Sequence, residues 1–238
     1  VNKQTLLFSA TMPRAIKSLS VDYLNNPAEV AVTSVAKPAD KINQTVLFLK
    51  SAEKLNALRN LIRERQQERI LVFLRTKHGA DKVVKSLTNL GLNLVAIHGN
   101  KSQMQRQTAL ENFKKGKCFV LVATDIAARG IDVRDVEVVV NYDLPDIPET
   151  YVHRIGRTAR AGASGQAVSF CSANERKSLY AIEKLIKMKI VDASLGLKEI
   201  FRPNINANLK MTESIRNQKV RLKIKKSRST KRIFSGRK

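Results

Sequence analysis

Residues 151–162 read Tyr-Val-His-Arg-Ile-Gly-Arg-Thr-Ala-Arg-Ala-Gly, a run that gathers one imidazole and three guanidiniums around a glycine. At 100° per residue, a helix through this run puts His153, Arg157 and Arg160 on one narrow face and Arg154 about 100° away. No Asp or Glu occurs between residues 150 and 174, so these cations have no partner nearby in sequence. Two chemistries fit. One is a solvated basic helix face. The other is a clamp whose planar guanidiniums stabilise the charge on a transferring phosphoryl group. Gly156 and Gly162 also fit a helix end or a close backbone approach, which would break the helical arc.

Further polar groups follow short apolar runs. After residues 119–123 come Thr124, Asp125, Arg129, Gly130 and Asp132. Thr124 and Asp125 suit the cap of a short helix and Gly130 its end. They equally suit a loop that offers hydroxyl and N–H groups to nucleic-acid phosphates, with Asp132 accepting from a ribose hydroxyl. Thr76 follows residues 70–74, and His98-Gly99 follows residues 92–97. Gln103 and Arg106, at i,i+3 in the first turn of a predicted helix, add donors to a terminus already suited to phosphate. Taken singly, Thr76 reads as a helix cap and His98 as a turn histidine.

The elements that must position these groups are legible from apolar periodicity. Runs at 45–49, 70–74, 92–97, 119–123, 136–142 and 167–171 read as strands. The segments between them carry helical spacing, as at Leu55, Leu58, Leu61 and Ile62. Ser51 precedes one helix, and Ser102 with Gln105 forms a capping-box pattern at another. Strands apolar on both faces and alternating with helices imply a parallel, doubly wound α/β sheet, with ligands at the carboxyl ends of its strands. Residues 5–8 read as a strand, 13–24 as a helix and 29–32 as a strand. They form a βαβ piece too small to bury its own sheet, followed by a linker containing Pro38.

With 44 Lys and Arg against 20 Asp and Glu in 238 residues, the formal charge is +24. Hydrophobic residues make up 43%, enough for a core, so a wholly disordered basic chain is excluded. Residues 210–238 hold twelve Lys and Arg and a single acid, Glu213. They read as a basic tail joined by a weakly ordered connector from residue 191. A cationic surplus of this size serves polyanions, since each cation placed on a phosphate releases counterions. Aromatic residues are 5% with no Trp, which argues against base stacking as the main mode of contact. Cys118 and Cys171 lie in apolar runs and read as reduced core thiols. Without an apolar run of membrane-spanning length or an amino-terminal leader, the sequence reads as cytoplasmic.

Five groups of residues, in this order and spacing, resemble the DEAD-box ATP-dependent RNA helicases. They are Ser9-Ala10-Thr11; residues 72–77; His98-Gly99 with Gln103 and Arg106; Ala123-Thr124-Asp125 through Arg129-Gly130-Ile131-Asp132; and residues 153–160. The short basic tail is similar to the bacterial RhlE-type subgroup. The resemblance implies that residues 1–34 end a first RecA-like domain and 35–43 link it onward. Residues 44–190 would then form a second RecA-like domain, the helicase C-terminal domain, with 191–238 as the tail.

By the same resemblance, Arg157 and Arg160 are fingers that reach the γ-phosphate of ATP, and Asp132 contacts its ribose. His153 links that site to the other domain. Thr76, Gly99, Gln103, Arg106, Thr124 and Gly130 face the RNA backbone, and Ser9 and Thr11 couple nucleotide state to strand separation. Ala159 departs from the family, which commonly has Gly there; with Ala, a backbone of φ < 0 is expected.

Neither a Gly-x4-Gly-Lys-Ser/Thr loop nor an Asp-Glu-Ala-Asp sequence occurs. ATP and Mg²⁺ would therefore be bound mainly by a preceding domain, and the 238 residues by themselves are expected not to hydrolyse ATP. No metal ligands are predicted in this chain. The rival reading is a non-catalytic RNA-binding or assembly module built on a helicase-like domain.

Overall fold

The β-branched and apolar runs fold as strands β1 (Ile42–Phe48), β2 (Ile70–Leu74), β3 (Leu94–Ile97), β4 (Val120–Thr124), β5 (Val138–Asn141), β6 (Gly165–Cys171) and β7 (Val191–Asp192). The computed structural model describes residues 3–9, 12, 14–30, 42–128, 136–159 and 165–194. The strands form one sheet ordered β3-β4-β2-β5-β6-β1-β7, and every pairing is parallel. Every residue of β2 and β5 is buried, as expected for central strands covered on both faces.

Helices α2 (Lys54–Glu64), α3 (Lys77–Thr88), α4 (Gln103–Lys114), α5 (Asp125–Ala128), α6 (Pro148–Ile155) and α7 (Arg176–Ile186) alternate with the strands. One core cluster joins Phe73, Ile97, Leu121 and Val139 to Phe113 of α4. A second joins Val46 and Ala167 to Tyr151 and Ile155 of α6 and to Leu179, Ile182 and Ile186 of α7. The buried Tyr151 hydroxyl donates to Gln44 Oε1 at 2.8 Å and fastens α6 to β1. Burial raises both thiols, Cys171 to about 11, so both cysteines are neutral core residues. Among the described residues no helix is long and apolar enough to cross a membrane.

Capping fixes where the helices begin. Thr76 accepts from the Gly79 N–H, and Ser102 with Gln105 completes the predicted capping box. Ser51 does not start α2; its N-cap is Glu53, whose carboxylate accepts from the Lys50 N–H.

The amino-terminal piece departs from expectation. Its helix, α1 (Arg14–Tyr23), is present, but residues 5–8 and 29–30 are not strands. Among the described residues neither segment has a neighbouring strand to complete its hydrogen bonds, and Leu6, Phe8 and Val30 are largely exposed. Residues 31–32 lie outside the described residues. At the other end, Val191 and Asp192 pair with Thr45 and Val46 as an edge strand rather than opening a loose connector. Ser194 seals that edge by accepting from the Phe48 N–H at 2.8 Å.

Candidate active site and nucleic-acid interface

Because all strands run the same way, β2, β3 and β4 deliver their carboxyl ends to one rim. Three of the predicted polar positions stand on that rim side by side: Thr76 after β2, Gly99 after β3 and Thr124 closing β4. Gln103 and Arg106 follow in the first turn of α4, and an Arg106 Nη donates to the Ala127 carbonyl of α5 at 3.4 Å. Gly130 and Asp132 lie outside the described residues, as do Thr11 and Arg160; Ser9 is described but belongs to no helix or strand.

His98 is an anchor rather than a turn residue. Only 1% exposed, it accepts from the Asn100 N–H through Nδ1 and sets Nε2 3.0 Å from Asp81 Oδ1. Lys101 reaches the same oxygen at 2.9 Å. Burial works to raise the Asp81 carboxyl, but His98 and Lys101 outweigh it and hold the carboxyl below its ordinary range. The loop that carries Gly99 is thereby pinned to α3.

The basic run from residue 153 does not continue as a helix. α6 ends at Ile155 with Gly156 as C-cap, and Arg157 and Thr158 close tight turns onto Arg154 and Ile155. The Thr158 hydroxyl draws the chain toward β5 by donating to the carbonyls of Val136 and Glu137. Ala159 then takes φ 54°, the left-handed conformation that its side chain was expected to exclude. Such a conformation costs an alanine about 1–2 kcal/mol, which is why glycine suits this position. Opposite it, a Cβ on Gly165 would lie 2.2 Å from Thr158 Oγ1 and 2.7 Å from Ala159 N, so the start of β6 must be glycine for the turn to pack. The helical arc is lost past Ile155, yet His153 and Arg157 still line one pocket, with Phe73, Asp125, Ala128, Thr150 and Arg154. Nε2 of His153 is buried there and makes no hydrogen bond among the described residues.

Arg154, which helical geometry set apart from the others, is the residue that sequence reasoning missed. It is 1% exposed and forks onto Asp125 through Nε (2.6 Å) and Nη2 (2.8 Å). Its Nη1 donates to Asn141 Oδ1 and the Asp143 carbonyl, and the guanidinium lies 5.1 Å from the Phe73 ring centroid. One side chain therefore ties α6 to the ends of β2, β4 and β5, at the place where the chain crosses over β2. Its place in the buried stripe Tyr151, Arg154, Ile155 was the available signal.

A second buried cation holds the same turn from behind. Lys54 of α2 donates to the Tyr142 carbonyl at 2.8 Å and to Glu175 Oε2 at 2.6 Å. Both side chains are nearly inaccessible, and Glu175 also accepts from the Leu144 and Ser172 N–H groups. Burial alone would raise the Glu175 carboxyl, but Lys54 and Ser172 more than offset it and hold it below the usual carboxylate range. A carboxyl depressed in the folded state adds stability above its unfolded pKa, and that stability is lost as pH falls through the folded value. Urea midpoints should therefore hold from neutrality to about pH 5 and fall below about pH 4. Glu175→Gln should be less stable at pH 7 and show a shallower acid slope; parallel slopes would remove this role. Among the described residues no group of three or more His, Cys, Asp or Glu side chains is placed to hold a metal ion.

Residues 53–162 match the helicase conserved C-terminal domain family. The chain is 42% identical over 184 residues to the human probable ATP-dependent RNA helicase DDX23, covering 77% of this chain and 22% of that protein. The Escherichia coli DEAD-box protein SrmB, solved bound to the regulator of ribonuclease activity A, superposes with a TM-score of 0.62 at 36% identity, covering 64% of this chain and 91% of that one. Saccharomyces cerevisiae Dbp5, solved with RNA and ADP BeF3, gives 0.72 at 30%, covering 82% of this chain and 54% of that one. The chain spans about a fifth to two fifths of the length of the curated relatives it matches.

Proposed function

The chain belongs to the DEAD-box RNA helicases, whose C-terminal helicase domain it carries, and from that we propose that its protein remodels RNA by ATP-driven closure of two RecA-like domains. The observation that carries this reading is the pocket of His153 and Arg157, set on the Arg154–Asp125 clamp beside the rim of Thr76, Gly99 and Thr124. A phosphate-facing cation and a backbone-gripping rim then share one sheet end, so RNA on β2, β3 and β4 can be felt at α6 through Asp125 and Arg154.

In this reading residues 1–34 complete the first domain, 35–43 link, 44–190 form the second domain, and 191–238 are a basic tail. Arg157 and Arg160 stabilise charge on the γ-phosphate held by the first domain, Asp132 receives the ribose, and His153 links that site to the first domain. Thr76, Gly99, Gln103, Arg106, Thr124 and Gly130 grip the RNA sugar-phosphate backbone, which carries no base information. Ser9 and Thr11 couple the two events. ATP supplies the free energy, and Mg²⁺ is held by the first domain.

The test compares phosphate release by the 238-residue chain and by the full-length protein, each with RNA or DNA. The short chain should show none above background, because it has no phosphate loop. The full-length protein should be stimulated by RNA. Equal stimulation by DNA would remove the RNA assignment, and no turnover with either polymer would leave the assembly-module reading.

A further inference from the structure

We propose that the outer face of α7 is a second RNA-binding surface, separate from the rim of strand ends. Lys177, Tyr180, Lys184 and the C-cap Lys187 fall within about 80° of arc, and all four are exposed, Tyr180 to 64%. The acid of α7, Glu183, is only 11% exposed and is committed to Lys189 Nζ at 2.6 Å and to the Ile190 N–H. Lys189 in turn sits 5.7 Å from the Tyr180 ring centroid. The face therefore presents clustered cations and an aromatic ring without a carboxylate of its own helix to neutralise them. Like charges at this spacing repel, and a polyanion relieves the repulsion while shedding its counterions. From Lys177 to Lys187 the helix rises about 15 Å, room for several phosphates.

Position separates this surface from the other. α7 packs in the cluster of Val46, Ala167 and Tyr151, toward the β1 side of the sheet, whereas Thr76, Gly99 and Thr124 end β2, β3 and β4. RNA is favoured over an acidic protein segment because Tyr180 offers a ring on which a base can stack between the lysines.

This inference rests on the reading of the protein as one that binds RNA, and the experiment separates the two. The 238-residue chain is titrated into fluorescein-labelled oligouridylate at several salt concentrations. Replacing Lys177, Lys184 and Lys187 together with Gln should weaken binding about tenfold at low salt and flatten the log–log salt slope by about 2, since each phosphate contact on a single strand contributes about 0.7. Tyr180→Ala should weaken it about fivefold or more with the slope kept. Replacing Lys114, Lys115 and Lys117 with Gln removes the same charge at the opposite end of the sheet and should change affinity by less than about twofold. If the two triple variants match, or the α7 variant binds as the parent does, the proposal is overturned and the face is left to an acidic protein or to solvent. If the parent chain binds no oligouridylate, the RNA reading falls along with it.

Discussion

Replacing Arg157 with alanine in the full-length protein should lower RNA-stimulated ATP turnover by about 10³-fold or more, the scale of an arginine that stabilises a transferring phosphoryl group. RNA affinity without nucleotide should stay within a few fold. The two readouts separate because the described residues assigned to RNA follow β2 and β3, close β4 or start α4, while Arg157 stands beyond the end of α6. Its backbone is fixed by the tight turn onto the Arg154 carbonyl and by Thr158 anchored to β5, so the truncation removes a guanidinium without releasing the chain. Arg157→Lys should recover little, since an ammonium lacks the planar fork that meets two phosphate oxygens at once. Steady-state phosphate release against RNA concentration is the measurement. A loss smaller than about tenfold would return Arg157 to the solvated basic face that the sequence equally allows.

Arg154→Ala should destabilise the domain by about 3–5 kcal/mol, the range for removing one partner of a buried ion pair. Asp125 is itself partly exposed and can rehydrate, which favours the lower end. The loss also strands Asn141 Oδ1 and the Asp143 carbonyl, both held by the guanidinium. Arg154→Lys keeps the charge but cannot bridge Asp125, Asn141 and the Asp143 carbonyl together, and should recover less than half of the loss. Urea denaturation of the 238-residue chain measures both. A double-mutant cycle with Asp125→Ala should give a coupling of about 1–3 kcal/mol. A coupling near zero would show the two side chains to be independent, and with it would go the connection from the RNA rim to α6.

Much of the fold was legible because its central strands are buried on both faces. Such runs as Ile70–Leu74 are apolar without a break, and the helices between them carry a clear period. Local chemistry was legible too: Ser102 and Gln105 cap α4, and Thr76 caps α3, because a cap is decided within four residues. The failures lie where a segment depends on something distant. Residues 5–8 have strand character but, among the described residues, no strand to pair with, β7 exists because β1 offers it an edge, and α6 stops where Thr158 reaches Val136 and Glu137.

Residue types, order and spacing alone thus determined the alternating α/β pattern, the set of polar groups at strand ends and the family resemblance, all of which depend on neighbours along the chain. Only the tertiary structure decided that Arg154 is spent in a buried ion pair. Arg154 is spent there because Asp125, 29 residues away, arrives within hydrogen-bond distance of its guanidinium. The Lys54–Glu175 pair spans 121 residues for the same reason. Two charges far apart in sequence show no periodicity, and their attraction becomes strong only after the sheet has assembled and excluded water from between them.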